Sequence, residues 1–271
     1  MHNKNEEFCK LLFQLFDIDG LTGQVFIATH SPNIISSNYK QFIRLTKQGE
    51  NLYAFCGYNI DLESVQLYRH MLHCFPYFKE AMFSKAVLFV EGDTENGAMS
   101  VFAARKSYDI DDLGIGIVKL DGADSVLSYM NLFSCFGIKT KAILDADKRS
   151  DYQDKPDIFF TNGDDFEEDI YDSFKLYDFV PCMKELGMET YYIGVFKKNG
   201  IPFNPSDFLA SIDWGKITDD IQAGIMTMEK TNRLVALRKS KNAVKGSILA
   251  EFVTEIPQVY SLVLDQLVKG I

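Results

Sequence analysis

Apolar side chains recur at helical spacing over residues 6–16, and Gly20 and Gly23 break the pattern before a short β-rich run at 24–29. That run ends in Thr29-His30-Ser31-Pro32, where Ser31 is placed to cap a following helix and Pro32 to occupy its first turn. Residues 40–58 read as two strands or a hairpin, and 61–83 as a helical connector rich in aromatic residues. From residue 85 the pattern sharpens. Lys85-Ala-Val-Leu-Phe-Val-Glu-Gly92 is a continuous apolar run of the kind buried on both faces of a parallel sheet. Helical periodicity follows over 94–107, a strand over 115–120, a helix over 123–136 and a strand over 140–144 that runs into Asp145-Ala-Asp147. Strand, helix, strand, helix, strand implies an α/β sheet with parallel strands whose connecting loops share one edge. A last amphipathic helix is expected over 243–256, with Val244, Ile248, Phe252 and Ile256 on its buried face.

Composition narrows the class. The chain has 271 residues, 46% hydrophobic and 24% charged, with 22 Phe and 13 Tyr, so it holds enough core material to exclude disorder and repeat fibres. Five cysteines without CxxC spacing read as reduced core thiols of a cytoplasmic protein. No apolar run is long enough to span a bilayer, so no membrane partner is expected. With 28 Lys+Arg against 38 Asp+Glu the net charge is −10, and any nucleic-acid contact must come from a local basic patch. The charge is segregated along the chain. The stretch 145–172 is dominated by acidic residues, whereas 230–245 carries Lys230, Arg233, Arg238, Lys239, Lys241 and Lys245 and no acid. The basic stretch is therefore the expected DNA-binding surface.

The acidic residues at strand ends carry the candidate chemistry. Glu91 closes the first buried strand, and Asp145 and Asp147 close the third, so a parallel sheet brings them to one edge although more than fifty residues separate them. Crowded carboxylates repel one another unless a hard divalent cation neutralises them, and oxygen-only ligation suits Mg²⁺ or Mn²⁺. Glu95, four residues after Glu91, can reach the same edge from the start of a helix, which makes a second ion possible. His70 and His73 have HxxH spacing but no third ligand nearby, so zinc is not expected.

Val87-Leu-Phe-Val-Glu-Gly-Asp-Thr-Glu95 together with Ala142-Ile-Leu-Asp-Ala-Asp147 resembles the Toprim domain of topoisomerases, primases and certain nucleases. The Thr29–Pro32 block resembles the switch-histidine segment that closes ABC-type ATPase domains. The order of the two is similar to that of the overcoming-lysogenization-defect (OLD) family of nucleases. The resemblance implies a Toprim-type parallel sheet flanked by helices, preceded by the C-terminal remnant of an ABC-type ATPase domain and followed by a mostly helical segment. It divides the chain into an ATPase remnant (1–60), a connector (61–84), the catalytic domain (85–190) and a helical part completing it (191–271). It implies Glu91, Glu95, Asp145, Asp147 and Glu167 as metal ligands, with Asp164, Asp165 and Glu168 as competitors for the role of Glu167. His30 would face the nucleotide γ-phosphate. Lys245, before Gly246, is the implied catalytic lysine, with Lys241 as runner-up.

No GxxxxGK[ST] phosphate cradle occurs, so ATP hydrolysis is expected only in a full-length protein of which this chain is the C-terminal part or a truncated product. The expected function is Mg²⁺- or Mn²⁺-dependent cleavage of DNA, with two ions bound, in a homodimer or larger assembly defending against phage. A ribonuclease acting on RNA and a non-catalytic module docking on an ATPase are the alternatives.

Overall fold

The computed structural model describes residues 26–32, 35, 39–60, 78–120, 122–188 and 190–271. The expected helix at 6–16, Cys9, Cys74, the His70/His73 pair, Asp121 and most of the 61–84 connector lie outside them. Residues 26–31 are not the expected strand: they carry no regular structure, and Phe26 is 81% exposed. The reason is pairing, since an isolated strand leaves its backbone groups unsatisfied and no described strand lies beside it. The Ser31 N–H donates to Thr29 Oγ1 at 2.9 Å, and the residues that the expected Ser31 cap would bond, 33 and 34, lie outside the described ones.

Strands β1 (Ile43–Gln48) and β2 (Asn51–Cys56) form the hairpin, antiparallel and turned at Gly49, whose φ of +60° suits glycine. The Arg44 guanidinium fixes the hairpin to the rest of the chain by donating to the carbonyls of Met82, Ser84 and Phe136 at 2.7–3.1 Å.

The main sheet contains β3 (Ala86–Val90), β4 (Ile115–Lys119), β5 (Lys139–Leu144) and β6 (Ile158–Phe160), all parallel, in the order β4-β3-β5-β6. Every residue of β3 is completely buried, which is why it reads as an unbroken apolar run rather than an alternating one. The pleat divides it between two cores. Ala86, Leu88 and Val90 face one, and Val87 and Phe89 face the other. Around the sheet run helices α1 (Asp93–Arg105), α2 (Ile110–Leu113), α3 (Val126–Cys135), α4 (Arg149–Tyr152), α5 (Phe166–Asp172), α6 (Leu176–Glu185), α7 (Thr190–Lys198), α8 (Asp219–Arg238), α9 (Ala243–Phe252) and α10 (Gln258–Lys269). Tyr129 and Phe133 of α3 stack on Phe89 on one face. Met99 and Phe102 of α1, with Leu249 of α9 and Tyr260 of α10, fill the other.

The expected last helix is shorter and turned differently. It ends at Phe252, and Pro257 stands at the N-cap of a further helix, α10, whose buried Val259, Tyr260, Val263, Leu264 and Leu267 recur at helical spacing. Its buried residues are Lys245, Gly246, Leu249 and Ala250, while Val244 is 70% exposed. The cause is the crossing of α9 with α1. A Cβ on Gly246 would lie 1.8 Å from the Thr94 carbonyl oxygen, and one on Gly97 would lie 1.8 Å from that of Ala243. The two backbones touch at both points, and the glycines rather than the larger side chains choose the buried face. No helix among the described residues is long and apolar enough to cross a membrane.

Candidate metal centre

From β3 the chain steps to β4 on one side and then crosses to β5 on the other, so the C-terminal ends of β3 and β5 lie side by side where the winding reverses. Ligands of open α/β sheets bind at this position. Glu91 follows β3 directly and Asp145 follows β5 directly, and the Asp145 N–H donates to Glu91 Oε2 at 3.0 Å. Helix α1 starts two residues after Glu91, and Glu95 curls back over its first turn. A Cβ on Gly92 would meet Glu95 Oε2 at 2.6 Å, which explains the glycine between Glu91 and Asp93. The Glu95 side chain is thereby buried at the positive end of α1.

The Asp145 turn is held from β6. Buried Thr161 accepts from the Ala146 N–H at 2.9 Å and donates to the Gly163 carbonyl at 2.8 Å. Asp169, also buried, accepts from the Asn162 and Gly163 N–H groups and fixes the 162–165 loop that leads into α5. That helix places Glu167 fully buried among the site residues. Of the alternatives for its role, Asp165 caps α5 and pairs with Arg238, Glu168 pairs with Lys230, and Asp164 is exposed. Asp147 stands apart from the group: it is exposed and paired with Lys148 at 3.4 Å.

The two candidate lysines separate by geometry. Lys245 turns inward and donates to the carbonyls of Leu237 and Lys239, tying the end of α8 to the start of α9. Lys241, in the loop between those helices, reaches over the acidic residues, with its ammonium 2.6 Å from Glu167 and 3.5 Å from Asp165. The expected DNA-binding surface needs correction in two respects. Arg233 is 6% exposed, its guanidinium over the Tyr192 ring, so it offers no surface to phosphate. Lys230 pairs with Glu168 and Asp172, and Arg238 with Asp165, so the basic and acidic stretches meet each other. Lys239 is exposed. His30 is exposed, with its ring centroid 6.4 Å from that of Phe83.

Electrostatics bind the group into one unit. Burial pushes the Glu95 carboxyl up to about 8, its own backbone N–H opposes this in part, and the charges of Asp145 and Glu167 add to the rise. Burial and then the neighbouring Glu91 charge push Asp145 up to about 7. Burial alone would lower Lys241, but its bond to Glu167 and the charges of Asp165 and Glu95 prevail and raise it. Tyr260, fully buried below this group, has its hydroxyl pushed up by burial and then by the charges of Asp169, Glu95 and Asp145. Thr161, Asp169 and Tyr260 are site residues that sequence reasoning missed. Thr161 had the same signal as Glu91, a polar residue closing an apolar strand, whereas Tyr260 had none.

The group fits hard divalent cations by its donors. All are carboxylate oxygens, and buried Asp145 Oδ1 and Glu167 Oε1 have no hydrogen-bond partner among the described residues. As the side chains stand, no three acidic, histidine or cysteine groups among the described residues close around a single point; the Lys241 ammonium lies among them instead.

A pH dependence follows. Glu95 and Asp145 hold protons in the folded chain that they would release on unfolding, from the usual carboxylate range up to about 8 and about 7. The folded state binds more protons in that window, so stability falls as pH rises through it. In chelator the melting temperature is expected to drop by at least about 5 °C between pH 5 and 9, and a divalent salt at pH 9 to restore most of it. A melting temperature that stays level over this range would contradict the crowding.

Residues 82–147 match the family model described as "Overcoming lysogenization defect protein-like, TOPRIM domain". The Old nuclease of Escherichia phage P2 is 26% identical over 132 residues, covering 46% of this chain and 22% of that protein, so the match spans about a fifth of the relative's length. Among solved structures, the C-terminal region of the Burkholderia pseudomallei OLD protein aligns at 14% identity over 69% of this chain and 98% of that one, with a TM-score of 0.38. The C-terminal region of the Xanthomonas campestris pv. campestris OLD protein aligns at 17% identity over 69% and 96%, with a TM-score of 0.41.

Proposed function

Taking residues 82–147 as an OLD-like Toprim domain, we propose that the chain is a divalent-metal-dependent endonuclease that hydrolyses DNA phosphodiester bonds. The observation that carries this reading is the pair of buried, unpaired carboxylate oxygens on Asp145 and Glu167 at the switch point of the sheet. Glu91, Glu95, Asp145 and Glu167 would hold one or two Mg²⁺ or Mn²⁺ ions, with Asp147 at the exposed rim. When bound, such ions polarise a phosphoryl oxygen and lower the pKa of a water.

The chain's own residues do the rest. Thr161 and Asp169 fix the two loops that carry the carboxylates. Lys245 sets the position of the loop bearing Lys241, which is the ammonium nearest the site and the one able to meet a phosphate oxygen. Exposed Lys239 extends that cationic rim towards a nucleic-acid backbone. On the same reading, residues 1–60 are the end of an ABC-type ATPase domain in which His30 faces nucleotide. The whole protein would then act in the cytoplasm as a dimer or larger assembly in phage defence.

The test is side-by-side digestion of supercoiled plasmid and folded RNA in Mg²⁺, Mn²⁺ and chelator. Nicking of plasmid that requires the cation is the expected outcome. Cation-dependent loss of RNA with intact plasmid would move the substrate to RNA, and inertness towards both would leave a non-catalytic module.

A further inference from the structure

Lys241 occupies an unusual position for a residue that is meant to meet substrate. Its ammonium touches Glu167, whose side chain is completely buried, and its charge also acts on Asp165, Glu95 and Asp145. This cation therefore pairs with one of the carboxylates that a metal ion would use, Glu167, and its charge is felt at Glu95 and Asp145. The loop that delivers it is held in place from several directions. Ser240, the residue before it, sits at φ +56°, a left-handed conformation that costs a non-glycine residue energy. The Asn242 side chain donates to the Ser240 carbonyl at 3.0 Å and accepts from the Lys245 N–H at 2.9 Å, and the Lys245 ammonium holds the Leu237 and Lys239 carbonyls. A strained residue persists where its surroundings over-determine it, and here the consequence of the strain is to aim Lys241 at Glu167.

We propose that Lys241 and a divalent cation are alternative occupants of one carboxylate group: the ammonium holds Glu167 in the metal-free chain, and leaves it when a cation binds. This rests on the metal reading above. The exchange keeps Glu167 paired throughout, so the metal-free protein does not carry that buried charge uncompensated. It also links two events, because metal entry releases an ammonium on the rim where a phosphate would arrive.

The experiment is Mn²⁺ titration of the full chain by calorimetry, with melting curves in chelator and in saturating Mn²⁺. Lys241→Gln removes the competing charge and is expected to bind Mn²⁺ about tenfold tighter or more. In chelator it should melt below the parent, and in Mn²⁺ the gap should close. Lys241→Arg keeps the charge and should return both properties towards those of the parent. Equal or weaker Mn²⁺ affinity in Lys241→Gln would overturn the exchange. Absence of Mn²⁺ binding in the parent and both variants would instead overturn the metal reading and the exchange with it. Should Lys241→Gln fail to fold, ¹⁵N-lysine spectra of the parent decide. An ammonium signal protected by Glu167 is expected to vanish in saturating Mg²⁺, and its persistence would overturn the proposal.

Discussion

Gly246→Ala is expected to destabilise the chain by about 3 kcal/mol or more, an overpacking cost at the upper end of the usual range. The added Cβ would fall 1.8 Å from the Thr94 carbonyl oxygen and 2.7 Å from its carbon. These are backbone atoms, so no side chain can swing aside; α1 and α9 must separate. The reciprocal contact of Gly97 with the Ala243 carbonyl oxygen means that the helices are also locked at a second point and cannot simply tilt. Separation shifts Glu95 on α1 relative to the Asp145 and Glu167 carboxylates that act on it, so metal affinity should fall together with stability. Gly224→Ala is the matched control. A Cβ there meets nothing within 4 Å inside α8, and alanine is expected to stabilise the helix by roughly 0.5–1 kcal/mol. Chemical denaturation measures both, and a Gly246→Ala variant within 1 kcal/mol of its parent would show that the crossing is looser than described.

Asp145→Ala should lower cation-dependent cleavage by on the order of a thousandfold while leaving the metal-free chain at least as stable as the parent. The opposite signs separate a site residue from a structural one. Asp145 is pushed up to about 7 by burial and by Glu91, so in the folded chain its negative charge is a liability that its removal relieves. Its side-chain Oδ1 makes no hydrogen bond among the described residues, and the turn is held by backbone N–H groups, those of Asp145 itself to Glu91 and of Ala146 to Thr161, both of which survive truncation. Cleavage at parental rates with contaminants excluded would remove Asp145 from the site, and a large drop in melting temperature in chelator would show that its role is to hold the fold.

What the sequence disclosed follows from burial. A strand covered on both faces is apolar throughout, so β3 and the buried end of β5 at Ala142–Leu144 stood out, and the acids that close them stood out with them. Glu95 and Glu167 could be placed because each lies within a helical turn of such a landmark or follows one. The path of residues 191–271 was not legible for the opposite reason. The α9 face is chosen by two glycine contacts rather than by a stripe of large apolar residues, and the periodic set Val244, Ile248, Phe252 and Ile256 was misleading. The choice between Lys241 and Lys245 depended on which lysine the ends of α8 and α9 would consume as a cap, a question of three-dimensional hydrogen bonding. The basic stretch looked free because its acidic partners lie about sixty residues or more upstream.

The arrangement of α9 and α10 on the sheet also bears on modularity. The segment that carries Glu91, Glu95 and Asp145 is contiguous, but one face of its sheet is roofed by helices that come from the far end of the chain. The Arg105 guanidinium stitches that roof on through the carbonyls of Ala250 and Val253. Excising residues 82–147 would therefore expose Met99, Phe102 and the even-numbered side chains of β3 to water. The boundary drawn by sequence similarity marks where the family model matches, while the packing that covers its sheet reaches to α10.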